Sequence, residues 1–250
     1  MSDAINNSAT SFDARLAETL QTLKRIASEF SPAVFASSLA AEDMVLTDLI
    51  LRHTITIDIF TLETGRLHAE TLGMLDRIKE TYGNEITLFK PQASAVADYV
   101  ASNGLNAFYD SVEMRKECCR IRKVEPLNRA LTGKKAWITG QRRTQSSTRG
   151  ELNVQEDDTA HDMQKFNPLA DWSEDDVWHY IRANNVPYNP LHDKGYPSIG
   201  CEPCTRAIQP GEDVRAGRWW WENPDSKECG LHVVDGKLIR IKQIASMPPN

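Results

Sequence analysis

The chain has 250 residues, with 29 Lys and Arg against 35 Asp and Glu, a formal net charge of −6 and 40% hydrophobic residues. That is enough to bury a sizeable core, and one α/β domain spanning residues 1–250 is expected. The acidic balance argues against a general nucleic-acid or anionic-membrane binder. No apolar run approaches the ~20 residues needed to cross a bilayer, and the polar start of the chain lacks a signal-peptide pattern. A cytoplasmic location is therefore expected, where thiols stay reduced.

Phe12, Leu16, Leu20, Leu23 and Ile26 recur at spacings of three or four, which predicts an amphipathic helix over 12–30 that stops before Pro32. Short apolar or alternating runs predict strands at 33–37, 55–62, 85–90 and 135–139. Helical segments are predicted between them at 42–52, 66–82 and 94–101. Ser173, followed by three acidic residues, predicts an N-cap and a helix through about residue 183. Between 187 and 210 prolines and glycines multiply, which reads as an irregular segment. Strands alternating with helices imply a parallel twisted sheet with helices on both faces, and ligands on such sheets bind at the carboxyl ends of the strands.

The loops that follow the first, second and fourth strands are thus where chemistry is expected: 37–43, 62–67 and 140–146. They bring hydroxyls, helix-start N–H groups and arginines, all suited to a phosphate. Neither G-x-x-x-x-G-K-[ST] nor G-x-G-x-x-G occurs. The bases are bunched at Arg115, Lys116, Arg120, Arg122 and Lys123, at Arg142, Arg143 and Arg149, and at Arg206, Arg215 and Arg218. Concentrated bases in an acidic chain suggest a small anionic ligand held locally.

The five cysteines divide as Cys118-Cys119, Cys201-x-x-Cys204 and a lone Cys229. An odd count in a reducing compartment points to a metal centre or a nucleophile rather than disulfides. Structural zinc sites usually use two C-x₂₋₄-C knuckles, whereas adjacent helical side chains diverge by ~100°. The spacing therefore favours an iron–sulfur cluster, [4Fe–4S], over zinc. On a helix, Arg115 and Lys123 lie four residues from Cys119, and Arg122 lies four from Cys118, so cations are expected beside the cluster. Lys123 is the base expected between the cluster and a bound anion. Pro126 predicts a kink or break. Cys229 has His232 three residues on, and Arg215 and Arg218 upstream, to lower its pKa; a structural thiol is the alternative.

These residues resemble the assimilatory adenylylsulfate reductases, the iron–sulfur branch of the phosphoadenylylsulfate reductase family. The resemblance runs from about residue 37 to 232. It is carried by Lys116-Glu117-Cys118-Cys119-Arg120 with Lys123, Gly200-Cys201-Glu202-Pro203-Cys204-Thr205 and Glu228-Cys229-Gly230-Leu231-His232, with Thr139-Gly140-Gln141-Arg142-Arg143 and Leu62-Glu63-Thr64-Gly65-Arg66-Leu67 as nucleotide-side loops. Three positions depart from the usual pattern: Leu39-Ala40 replaces a glycine-containing serine loop, Glu63 replaces Asp, and 224–227 lacks a Lys-Arg-Thr run.

The resemblance implies an adenine nucleotide alpha hydrolase-like fold, with a flexible C-terminal tail of about 211–250 carrying the catalytic cysteine. It implies Cys118, Cys119, Cys201 and Cys204 as ligands of a [4Fe–4S] cluster and Cys229 as the nucleophile. Lys123, Arg215 and Arg218 would contact the phosphosulfate; Ser37, Ser38, Leu62, Arg142, Arg143 and Gln145 would line the nucleotide site, with His232 also at the substrate. The implied reaction is thiol-dependent reduction of adenosine 5′-phosphosulfate to sulfite and AMP through S-sulfocysteine, in sulfate assimilation toward cysteine. Thioredoxin or glutaredoxin would be the reductant and the protein a homo-oligomer. The alternatives are a reductase of the 3′-phosphorylated substrate and a non-catalytic nucleotide-binding iron–sulfur redox sensor.

Overall fold

The computed structural model describes residues 2–145 and 152–223, with side chains from residue 12 onward. Among these, the elements in chain order are α1 (Ser2–Glu29), β1 (Ala33–Ala36), α2 (Ala41–Arg52), β2 (Asp58–Leu62), α3 (Ala69–Tyr82), β3 (Thr87–Phe89) and α4 (Ala93–Asn103). Then come α5 (Val112–Cys119), α6 (Glu125–Leu131), β4 (Ala136–Ile138), β5 (Gln155–Asp158), β6 (Met163–Phe166) and α7 (Glu174–Asn184). The sheet order is β3-β2-β1-β4-β6-β5, parallel throughout except for the antiparallel β5–β6 pair.

Side chains alternate across a strand, so each strand feeds two cores. Phe35, Ile59, Ile138 and Phe166 enter a large core with Leu23 and Ile26 of α1, Met44 and Leu49 of α2, Met74 and Ile78 of α3, and Val177 and Ile181 of α7. Their neighbours Val34, Phe60 and Trp137 point the other way, onto Leu127, Ala130 and Leu131 of α6. Burial on both faces explains why β1, β2 and β4 read as apolar runs. Behind the sheet, Asp48 is fully buried and accepts from Tyr82 Oη (2.6 Å), Tyr180 Oη (2.7 Å) and Arg52 Nε (2.6 Å), which ties α2, α3 and α7 together.

Ser173 caps α7 through a reciprocal capping box with Asp176, as its sequence predicts. One feature differs from expectation. The β5–β6 hairpin is absent from the sequence reading, because its Gln-Glu-Asp-Asp strand is polar; it extends the sheet edge with Glu156 opposite Lys165, and their side chains pair at 3.1 Å. At Pro126, where a kink or break is expected, the helix is locally disturbed without the chain leaving it. The turn before it, Arg120–Val124, widens into a π-helical turn that joins α5 to α6. That widening accommodates a ring that would otherwise collide with the carbonyl four residues back.

Candidate active site

The chain runs from β1 outward through β2 to β3, then returns to place β4 on the other flank of β1. The loops after β1 and β4 therefore diverge, opening a crevice at a topological switch point. A cavity of about 700 Å³ lies there, lined by Ser37, Ser38, Leu62, Thr64, Gly140, Arg142 and Gln145 at the strand ends. Lys123, Arg215 and Arg218 line it as well. The structure thus brings together residues from 37 to 218, while Arg143 lies outside the lining and its guanidinium pairs with Asp171. Cys229 and His232 lie outside the described residues.

The loop after β1 is held by two carboxylates of the first turn of α2, Glu42 and Asp43, to which the sequence assigns no role. Asp43 accepts from the Ser38 N–H (2.6 Å) and hydroxyl (2.5 Å). The Gly140 main chain also bonds Asp43, and a Cβ on Gly140 would strike that carboxylate. Burial pushes the Asp43 carboxyl up to about 6. Glu42 accepts from Arg142 Nε and Nη2 (3.0 and 2.8 Å) and from the Gln145 amide (2.8 Å). At Leu39 the backbone is left-handed, φ 63°, the conformation for which glycine is the usual residue. Its side chain is fully buried in the large core, and that burial offsets the strain.

A second, smaller cavity adjoins the first and is lined by all four clustered cysteines, Cys118, Cys119, Cys201 and Cys204, with Arg66, Phe108, Arg115, Arg122, Lys123 and Trp219. Lys123 and Trp219 line both cavities and form their common wall. Main-chain bonds tie the Cys201-x-x-Cys204 turn to the loop after β2 and to the Trp219 segment. The Glu202 N–H donates to the Arg66 carbonyl (2.8 Å), and the Trp219 N–H donates to the Cys204 carbonyl (3.1 Å). Thr64 Oγ1 lies 3.3 Å from Cys201 Sγ, and Arg122 Nη1 donates to the Thr64 carbonyl (2.7 Å). Arg115, fully buried, grips Glu222 at 2.7 and 2.9 Å and lies 4.6 Å from the Trp219 ring. Of the three consecutive tryptophans at 219–221, Trp219 is buried and Trp220 exposed.

Among the described residues no group of three or more His, Cys, Asp or Glu is placed to hold a single metal ion. The donor set is nonetheless uniformly soft, four sulfurs around one cavity, which suits a thiophilic centre larger than one ion. Burial raises the Cys118 thiol and, with Cys201 adding to it, pushes Cys204 up to about 12. Arg218 reaches across the irregular segment, donating to the Ile199 carbonyl at 3.2 Å. Gly200 packs so close that a Cβ there would meet the Arg218 guanidinium.

A model of the phosphoadenosine phosphosulfate reductase domain matches residues 32–207, spanning the crevice loops and both cysteine pairs. The chain belongs to this family. An adenosine 5′-phosphosulfate reductase of Burkholderia cepacia is 65% identical over 211 residues, 84% of each chain. One from Neisseria meningitidis serogroup A is 59% identical over 230 residues, 91% of this chain and 94% of that one. Among solved structures, the phosphoadenylyl-sulfate reductase of Candida auris, a phosphate complex, matches with a TM-score of 0.66 at 25% identity over 76% of this chain and 90% of that one. Yeast FAD synthetase shares the fold, with a TM-score of 0.51 at 16% identity over 79% of this chain and 67% of the other. The family's adenine nucleotide alpha hydrolase-like architecture is the mostly parallel sheet described above. Among the described residues, no helix is long and apolar enough to cross a membrane.

Proposed function

We propose that this protein reduces adenosine 5′-phosphosulfate to sulfite and AMP. The observation that carries the reading is the shared wall: Lys123 lines both the crevice at the strand ends and the cavity ringed by four cysteines. Family membership and the names of the relatives supply the reaction class.

The nucleotide would lie against Ser37, Ser38, Leu62, Arg142 and Gln145, with its phosphosulfate toward Lys123, Arg215 and Arg218. The Cys229 thiolate, with His232 nearby in sequence, attacks the sulfate sulfur. The S–O bond to the phosphate breaks, its electron pair leaves with AMP, and S-sulfocysteine remains. The three bases stabilise charge as it shifts onto the phosphate. A thiolate of a dithiol reductant then attacks Cys229 Sγ and expels sulfite, and the second thiol resolves the mixed disulfide. The two electrons come from the dithiol, for which thioredoxin or glutaredoxin is the expected source. Cys118, Cys119, Cys201 and Cys204 would hold a [4Fe–4S] cluster, which when bound supplies a fixed buried charge beside Lys123 rather than electrons. The reading places the protein in the cytoplasm, as a homo-oligomer of one α/β domain whose last residues, about 211–250, deliver Cys229.

The preference for the substrate without a 3′-phosphate has its own physical support. Both arginines of the β4 loop already hold carboxylates, Arg142 with Glu42 and Arg143 with Asp171. Neither fork is left as a ready partner for a second phosphate, and Glu42 would repel one. We expect kcat/KM for adenosine 5′-phosphosulfate to exceed that for its 3′-phosphorylated form by about 10²-fold or more. Equal or reversed values in a steady-state comparison would assign the chain to the 3′-phosphorylated substrate.

A further inference from the structure

The first turn of α2 borders the crevice, and its N-cap position is Ala40, which has no side-chain group to cap a helix. The cap comes from 151 residues away. The Ala41 N–H donates to His192 Nε2 at 3.1 Å. A nitrogen that accepts from a main-chain N–H carries no proton, so the ring must be neutral with its proton on Nδ1. His192 stands on a single-turn 3-10 helix, His192–Lys194, in the irregular segment that leads on to Cys201 and Cys204. The ring is fixed on its other sides by the edge of Trp178, 5.4 Å between centroids, and by a hydrogen bond with the Tyr196 main chain. The bond therefore joins the loop carrying Ser37 and Ser38 to the limb carrying two of the four clustered cysteines.

We propose that His192 is a positioning residue that caps α2 across the crevice and holds the nucleotide loop in register with the cysteine-bearing limb only while its imidazole is neutral. The inference rests on the nucleotide reading of the crevice. Protonation would remove the acceptor and set a cation at the positive end of the helix, where the macrodipole repels it. The charged groups facing the ring are Glu42 of α2, Glu174 of α7 and Asp193 of its own turn, all of which favour protonation. Burial outweighs them and holds the imidazole below the ordinary histidine value of 6.5. The cap is thus present above that lowered pKa and lost as pH falls through it.

The test is AMP binding by calorimetry, as a function of pH, to the full-length wild type, His192→Ala and His192→Gln, with Tm measured alongside. The glutamine amide oxygen can replace Nε2 as acceptor but does not titrate. Near pH 7.5, His192→Ala is expected to weaken AMP about fivefold, the ratio that corresponds to one helix cap of ~1 kcal/mol. His192→Gln should stay within about twofold of wild type by the same scale. The ratio of wild-type to His192→Gln affinity cancels the titration of the AMP phosphate and of Asp43. That ratio should fall as the pH is lowered below about 6.5. A lower Tm for His192→Ala with unchanged AMP affinity, or a ratio constant with pH, overturns the proposal, since a purely structural cap gives those results. Failure of the wild type to bind AMP at all would overturn the nucleotide reading itself, a result distinct from unchanged affinity in the variants.

Discussion

Replacing Lys123 with alanine is expected to lower kcat/KM for adenosine 5′-phosphosulfate by about 10²–10³-fold, the range for removing one preorganised charge from a site where transition-state charge develops. Lys123 occupies the π-helical turn after Cys119 and lines both cavities. Its turn puts Lys123 on the wall between the cavity of the four cysteines and the crevice proposed to receive the anion. The loss should appear mainly in kcat, because charge on the leaving phosphate grows after binding. Lys123→Arg should restore little, since a planar fork does not substitute for a compact ammonium at a point site. Steady-state kinetics on protein with matched iron content separates this from loss of a cluster. A drop of less than about fivefold would mean that Lys123 does not act at the transition state.

The largest stability effect is expected at the opposite end of the same wall. The Arg115 side chain is fully buried and that of Glu222 is 3% exposed, and they form a two-bond ion pair beside the cysteine cavity. Glu222→Ala would leave the guanidinium buried without its carboxylate, at a cost of about 3–5 kcal/mol. Urea denaturation of the two proteins measures this directly. The double replacement Arg115→Met with Glu222→Leu should recover most of the loss, because a buried ion pair exchanged for apolar groups of similar volume is often neutral. A loss below about 1 kcal/mol for Glu222→Ala would place that pair in the class of exposed bridges, against its burial.

The inner parallel strands β1, β2 and β4 are legible in the sequence because both their faces are buried and their runs are apolar; Ala33–Ala36 and Ala136–Ile138 need no other signal. The Ser173 capping box is legible because every atom of it lies within four residues. What the sequence hides is non-local. The polar edge strand Gln155–Asp158 has no hydrophobic period to announce it, and its place is set by pairing with Met163–Phe166. Arg142 lines the crevice, but that its fork also meets Glu42, 100 residues earlier in the chain, has no local signal. The same holds for His192, whose partner is a main-chain N–H that no side-chain pattern could reveal. The cysteine spacing pointed to one shared site because adjacent thiols and a Cys-x-x-Cys turn are chemically unusual together. The fold supplies the wall between that site and the crevice.

The central claim is that a cysteine of this chain takes the sulfonate from the nucleotide before any reductant acts. Intact-protein mass spectrometry of anaerobically purified protein mixed with adenosine 5′-phosphosulfate, with no thiol present, tests it most directly when followed by peptide mapping. The account predicts one SO₃ adduct per chain, on Cys229, with an equal amount of AMP released and neither seen with Cys229→Ser. No adduct and no AMP from cluster-loaded protein, or an undiminished first turnover in Cys229→Ser, would contradict it.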